Sequence, residues 1–252
     1  DTTDTTYTTD TTDATDTTDG TEGTDATDAT DTTDGTDATD GTEVLCGEPT
    51  GDGTIGKKTL LVKGGETFVS PFDAAPAADG CWVYFTAIDP VTHHGAVFKI
   101  AKDGTGLVRL DADGKFVAPV SIAVAKDGGT LYIADTGRVT GQSDVGVVFS
   151  LPSAGGTPSV HSEGTAPRGV AVVDGDLYHS GYQLGEGGAS ALYKTNAPNS
   201  LLVSNPTWDF AGITGDASAL YIVTTVSANG QGRLLKFVGG MATPLSGPLR
   251  VG

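Results

Sequence analysis

The run Gly128-Gly129-Thr130-Leu131-Tyr132-Ile133-Ala134-Asp135-Thr136-Gly137 is a short apolar strand between two turns. Asp127-Gly128-Gly129 leads into it and Asp135-Thr136-Gly137 closes it. A Tyr inside a comparable apolar stretch recurs at Tyr84, Tyr132, Tyr178 and Tyr221, with spacings of 48, 46 and 43 residues. A period of that length marks a chain built from stacked supersecondary units, and it is sought before any other fold assignment.

Around each Tyr the same order of short strands can be read. In the second unit they fall at 120–125, 130–134, 146–151 and 159–162, and in the third at 169–173, 176–180, 191–195 and 201–204. The fourth unit places them at 209–214, 219–224, 233–238 and 243–245. The first, least regular unit places them at 68–72, 82–88, 96–100 and 107–110. Third strands also match, with Val97-Phe98-Lys99, Val148-Phe149-Ser150 and Leu192-Tyr193-Lys194 in like positions. Short apolar runs bounded by Gly, Asp and Pro turns at even spacing indicate an all-β array. Four strands in 42–50 residues correspond to one blade of a β-propeller. No unit contains a long apolar run of period 3.6, which disfavours a helical solenoid.

The stretch from Asp127 to Gly137 closely resembles the centre of an NHL-repeat blade, and Pro167-Arg168-Gly169-Val170-Ala171-Val172 resembles that family's approach to the first strand. The third unit has His179-Ser180, and the fourth Val223-Thr224, where the family pattern carries Ala-Asp. The resemblance implies a propeller, commonly of six blades, that serves mainly as a binding platform.

The blades are expected at about 59–110, 111–162, 163–204 and 205–246, with the start of another at 247–252. In that scheme 59–63 aligns with outer strands and 248–252 with a first strand. The ring is therefore expected to be larger than four blades, with the natural protein continuing beyond Gly252. Residues 44–58 form a Gly-rich linker before the array.

Residues 1–42 are fourteen triplets with Thr always third and an acid first in all but the one opened by Tyr7. Residues 1–43 hold 14 of the 32 acidic residues and no Lys or Arg, so most of the net charge of -18 belongs to this tail. Like charges every third residue, with no apolar face, argue for a solvated stalk. In a polyproline II conformation the tail would reach roughly 130 Å at about 3.1 Å per residue. All the third-place residues would then share one edge. Thr3, Thr6, Thr9, Thr12, Thr15, Thr18, Thr21, Thr24, Thr27, Thr30, Thr33, Thr36, Thr39 and Thr42 are accordingly candidate O-glycosylation sites. Loose Ca²⁺ binding along the acidic edge is the one cofactor reading. No Asp-x-Asp-x-Asp-Gly loop is present to build a defined site. The composition resembles the Asp/Thr spacers of secreted bacterial lipoproteins.

Cys46 and Cys81 are the two cysteines. A bridge between them would close a loop of about 35 residues and contribute about 3–4 kcal/mol on the chain-entropy model. It would tie the stalk to the first blade, as suits an oxidising compartment. The alternative is a buried thiol at Cys81 and an exposed one at Cys46.

Candidate chemistry is sparse. His93 and His94 are adjacent in a loop, a poor arrangement for one metal. His161 and His179 fall on different strand types and are expected at the surface or in packing. Ser180 beside His179 lacks a Gly-x-Ser-x-Gly elbow and a placed acid. Asp89 and Asp135 follow their Tyr strands similarly, in keeping with turn chemistry. Basic residues do not cluster, which disfavours nucleic acid, and no apolar run is long enough to span a membrane as a helix.

The sequence therefore predicts a secreted or bacterial cell-surface protein, non-enzymatic and without a cofactor. Its propeller would bind a protein or carbohydrate and be displayed on a stalk capable of self-assembly. The alternatives are an extracellular fibre component and a propeller lyase or hydrolase whose site lies in further blades.

Overall fold

The computed structural model describes residues 60–112, 114–137, 146–163, 165–183, 188–196, 198–226, 231–245 and 249–250. The triplet tail, the linker, Cys46 and the fourteen candidate Thr residues lie outside the described residues.

Four antiparallel sheets follow one another along the chain, each built on a simple four-stranded meander. Blade 1 contains β1 (Ala74–Pro76), β2 (Trp82–Ile88), β3 (Gly95–Ala101) and β4 (Val108–Arg109). Blade 2 contains β5 (Pro119–Val124), β6 (Thr130–Asp135), β7 (Val147–Pro152) and β8 (Ser159–Ser162). Blade 3 contains β9 (Thr165–Val173), β10 (Asp176–Gln183), β11 (Ser190–Lys194) and β12 (Ser200–Asn205). Blade 4 contains β13 (Trp208–Asp216), β14 (Ala219–Val226), β15 (Gln231–Val238) and β16 (Met241–Pro244). The chain is an all-β propeller, and segments of its four innermost strands together line a central channel of about 370 Å³.

The turns explain where the strands stop. Asp174 and Gly175 both have positive φ, 52° and 87°. That is the backbone of the two-residue hairpin whose twist matches the flanking strands. Ahead of β6, Gly128 has φ 74°, and the Asp127 carboxylate accepts the Gly129 amide at 2.9 Å.

The recurring Tyr residues occupy equivalent places. Tyr84 lies opposite Ala75 and Lys99, and Tyr132 opposite Ala123 and Ser150. Tyr178 lies opposite Ala171 and Lys194, and Tyr221 opposite Thr214 and Lys236. The first three pack toward the following blade. Tyr84 packs with Phe116, Ile122 and Leu131 between blades 1 and 2. Tyr132 packs against Val170 and Leu177 between blades 2 and 3, and Tyr178 against Leu220 and Ile222 between blades 3 and 4. Burying such side chains contributes about 1.5–3 kcal/mol each, so the seams carry much of the fold's stability. Tyr221 belongs to none of these clusters, and Val223 on the same face is 52% exposed.

A polar chain runs beside the apolar seams near the channel. Asp73, Ser121, Gly169 and Gly212 each stand two residues before the partner of the blade's Tyr. Asp73 accepts the Ser121 hydroxyl at 2.8 Å and the Ile122 amide at 3.0 Å. Ser121 in turn accepts the Val170 amide at 3.2 Å. At blade 3 the series has Gly169, whose Cβ would stand 2.7 Å from the Ala211 carbonyl and 3.0 Å from Ser180 Oγ. Ser180 occupies that space and donates to the Ala211 carbonyl at 2.5 Å.

Two strand expectations in blade 1 are corrected. Residues 68–72 are not the first strand of blade 1. Val69 makes an isolated bridge to Ile88, Ser70 adopts φ 49°, and the regular strand is Ala74–Pro76. Phe68 instead inserts beside Phe85 and Phe98, with ring centroids 5.0 and 5.7 Å away. An apolar side chain in an alternating pattern serves equally well as a plug on a sheet face. Residues 60–63 form no outer strand, and Val62 packs against the same face of blade 1. β17 (Leu249–Arg250), in the segment expected to open a further blade, pairs with Gln231 and Gly232 along β15.

Candidate binding cleft between blades 2 and 3

Where β8 hands over to β9, the outer strand of blade 2 stands apart from the end of β11 and the turn that follows it in blade 3. The space between them is a cleft of about 510 Å³. Its blade 2 wall is Val160, His161, Ser162 and Glu163, and its blade 3 wall includes Thr165, Gln183, Tyr193 and Asn199.

His179 stiffens the blade 3 wall from behind. It lies on β10 opposite Val170 and Tyr193 and is fully buried. Its Nε2 is 2.9 Å from Thr165 Oγ1, and its Nδ1 is 2.7 Å from Thr195 Oγ1. The imidazole stacks on Tyr193 at 4.8 Å between centroids and 15° between planes. Burial, with a smaller contribution from His161, pushes the His179 pKa down to about 4. The ring is therefore neutral at neutral pH, with one nitrogen donating and the other accepting. One Thr hydroxyl must donate to it and the other must accept from it. Among the described residues no carboxylate backs this imidazole, so the relay fixes Thr165 and Tyr193 in place as uncharged groups.

The two walls are tied to each other by hydrogen bonds. Ser162 Oγ donates to Asn199 Oδ1 at 2.8 Å, and Asn199 Nδ2 donates to the Glu163 carbonyl at 3.2 Å. His161 sets its ring edge to face with Tyr132 at 5.0 Å, and burial lowers its pKa. Among the described residues the side-chain amide of Gln183 makes no hydrogen bond, although it lines the cleft.

A second polar cluster joins blades 3 and 4. Arg168 pairs with Asp209 and donates to the Tyr182 hydroxyl at 2.9 Å. Tyr182 donates to the same carboxylate at 2.6 Å. Asp209 has its pKa lowered overall, the Arg168 and Tyr182 hydrogen bonds outweighing the opposing effect of burial. Each of these charged groups is matched within the cluster, which makes it a latch between blades.

Apart from His161 and His179, the residues singled out in the sequence fall elsewhere. Cys81 immediately precedes β2, and its amide donates to Asp79 at 2.8 Å. His93 and His94 are exposed in the β2–β3 loop, and among the described residues no group of three His, Cys, Asp or Glu side chains could hold a metal. Ser180 faces blade 4, away from the His179 relay. Asp135 and Asp89 are not equivalent. Asp135 accepts the Val117, Ala118 and Gly137 amides at 2.7, 2.9 and 2.7 Å, holding the connection from blade 1. Burial raises its pKa against those three donors. Asp89 lies two residues farther from its Tyr, caps its own turn through the Val91 and Thr92 amides at 2.8 and 3.0 Å, and pairs with Arg109.

Sequence reasoning missed the cleft. Thr165, His179 and Thr195 lie on or beside three different strands, and no linear motif connects them. Only the blade 3 register, with Gln183 opposite Thr165 and His179 opposite Tyr193, assembles them.

No protein-family model matches the chain, and no curated protein matches it in sequence. Solved structures share its fold. A chain of a nidogen/laminin complex is 15% identical with a TM-score of 0.58, covering 78% of this chain and 68% of that one. A putative TolB from Agrobacterium tumefaciens is 15% identical with a TM-score of 0.55, covering 75% of this chain and 65% of that one. A prolyl endopeptidase is 16% identical with a TM-score of 0.50, and the match covers 73% of this chain and 29% of the peptidase. At these identities the likeness is one of fold. The expectation of a non-enzymatic protein is corrected by the last of these. A similar fold occurs within an enzyme, so blade architecture does not separate binders from enzymes.

Proposed function

We propose that this chain is an NHL-type propeller displayed outside the cell on its Asp-x-Thr stalk, with the inter-blade cleft as a binding site. The observation that carries this reading is the cleft of about 510 Å³ whose two walls come from different blades and are locked by the Ser162–Asn199–Glu163 links. A volume of that size lies within the range of small-ligand sites. Its frame is held by internal hydrogen bonds while Gln183 retains free capacity. Extracellular display is supported by the acidic, Thr-rich composition of residues 1–43 and by the two-cysteine usage, read as a Cys46–Cys81 bridge. The exposed far face of blade 4, with Val223 and Val238 at 52% and 48%, supports a ring of more than four blades.

Two measurements test the proposal. Intact-mass spectrometry of the natural protein, before and after reduction, should show sugar-sized increments on the tail and a two-hydrogen gain from one disulfide. An unmodified, fully reduced protein would remove the surface reading. A screen of peptides and oligosaccharides against immobilised chain, with Gln183→Ala as site control, should give saturable binding that the variant weakens. Binding indifferent to Gln183→Ala would place the site elsewhere.

A further inference from the structure

We propose that the blade 2–blade 3 cleft takes a neutral saccharide; the inference rests on the reading of this cleft as the binding site. Charge comes first. Glu163 is the one formally charged side chain on the described walls, and it is exposed. The flanking sequence agrees, since 155–167 and 195–232 contain no Lys or Arg. An anionic ligand would find no counter-charge there, and Glu163 would repel it. A cationic ligand would gain little from one exposed carboxylate.

Hydrogen-bonding capacity comes second. The unengaged Gln183 amide offers a donor and an acceptor side by side. The Tyr193 hydroxyl likewise makes no hydrogen bond among the described residues. Vicinal hydroxyl groups both donate and accept, which suits an amide and a phenol better than a purely accepting ligand.

Surface character comes third. Val160, 53% exposed, and Pro198 interrupt the polar lining with apolar patches, and the His161 ring, whose charged form burial disfavours, stands beside them. A pyranose has the same alternation, with hydroxyl edges and C–H faces. The His179 relay supplies preorganisation, because Thr165 and Tyr193 do not have to be ordered on binding.

Isothermal titration and saturation-transfer NMR on the full chain test this with maltohexaose, cellohexaose and N-acetylchitohexaose. Hexagalacturonate serves as the anionic counterpart and a pool of neutral heptapeptides as the non-sugar control. At least one neutral hexasaccharide should bind saturably. Gln183→Ala should raise its Kd about fivefold, the loss of one hydrogen bond, at unchanged melting temperature. Binding of hexagalacturonate in preference to the neutral sugars overturns the proposal. Peptide binding that Gln183→Ala weakens, with no sugar bound, also overturns it while leaving the cleft as a binding site. Sugar binding unaffected by Gln183→Ala overturns both.

Discussion

Asp73 on blade 1 and Ser121 on blade 2 occupy the same position in successive repeats and are joined by a 2.8 Å hydrogen bond from the Ser hydroxyl to the carboxylate. The same carboxylate takes the Ile122 amide, and Ser121 also accepts from Val170. One Ser thus serves two seams.

Removing either end should destabilise the propeller. Asp73→Ala leaves a hydroxyl and an amide without their acceptor, at a cost of about 1–3 kcal/mol. Ser121→Ala should cost a similar amount, and the double variant less than the sum, with a coupling of about 1 kcal/mol. Urea denaturation of the four proteins measures the cycle. Strict additivity would show that the contact does not contribute.

Gly169 and Gly212 should respond unequally to a methyl group. Gly169→Ala drives a Cβ to 2.7 Å from the Ala211 carbonyl, whereas nothing lies within 4 Å of a Cβ at Gly212. The first change should cost about 1–3 kcal/mol through overpacking between blades 3 and 4, and the second should fall within about 0.5 kcal/mol of zero. Thermal melts of the two variants decide the matter, and equal effects would contradict the seam geometry.

The repeated tyrosines should differ in the same sense. Tyr84 is 6% exposed within the blade 1–blade 2 seam, so Tyr84→Ala should cost about 3–5 kcal/mol. Tyr221 sits outside every described apolar cluster, and Tyr221→Ala should cost less than about 1 kcal/mol. Chemical denaturation that ranked them the other way would mean that blade 4 is covered and blade 1 is not.

His179 sets a pH dependence. Its folded pKa of about 4 lies below the unfolded value of 6.5, so between these values the unfolded chain binds the extra proton. Stability therefore falls as pH drops from about 6.5 toward 4, and the full loss of about 3 kcal/mol is reached below the lower value. Above pH 7 both states are neutral at this site and the contribution vanishes. His179→Gln keeps a donor and an acceptor near Thr165 and Thr195 but cannot titrate. The difference in unfolding free energy between the two proteins should accordingly depend on pH over 4–6.5. A constant difference across that window would show that the imidazole is not buried in neutral form.

Much of the fold was legible because its determinants are local. The 152–159 turn region and the Asp-Gly pairs at 127–128 and 174–175 punctuate the chain, and alternation supplies the strands between them. β2 and β8 were placed at the residues they occupy, 82–88 and 159–162. The four tyrosines were recognised as equivalent from spacing alone. The first strand of blade 1 was misplaced because Val69 and Phe72 carry the same apolar signal whether they sit in a ladder or beside one. Asp89 and Asp135 looked alike because turns favour Asp for several reasons, and only register shows which amides each carboxylate receives.

By itself the sequence determined the class of architecture, the number of described blades and the equivalence of the four Tyr positions, since period and turn chemistry act over a few residues. The tertiary structure alone decided the Thr165–His179–Thr195 relay, the Asp73–Ser121–Val170 chain and the cleft between blades 2 and 3. Those contacts join strands and blades separated by 14–49 residues. Their existence depends on pairing register and on how one sheet packs against the next, quantities that no local pattern encodes.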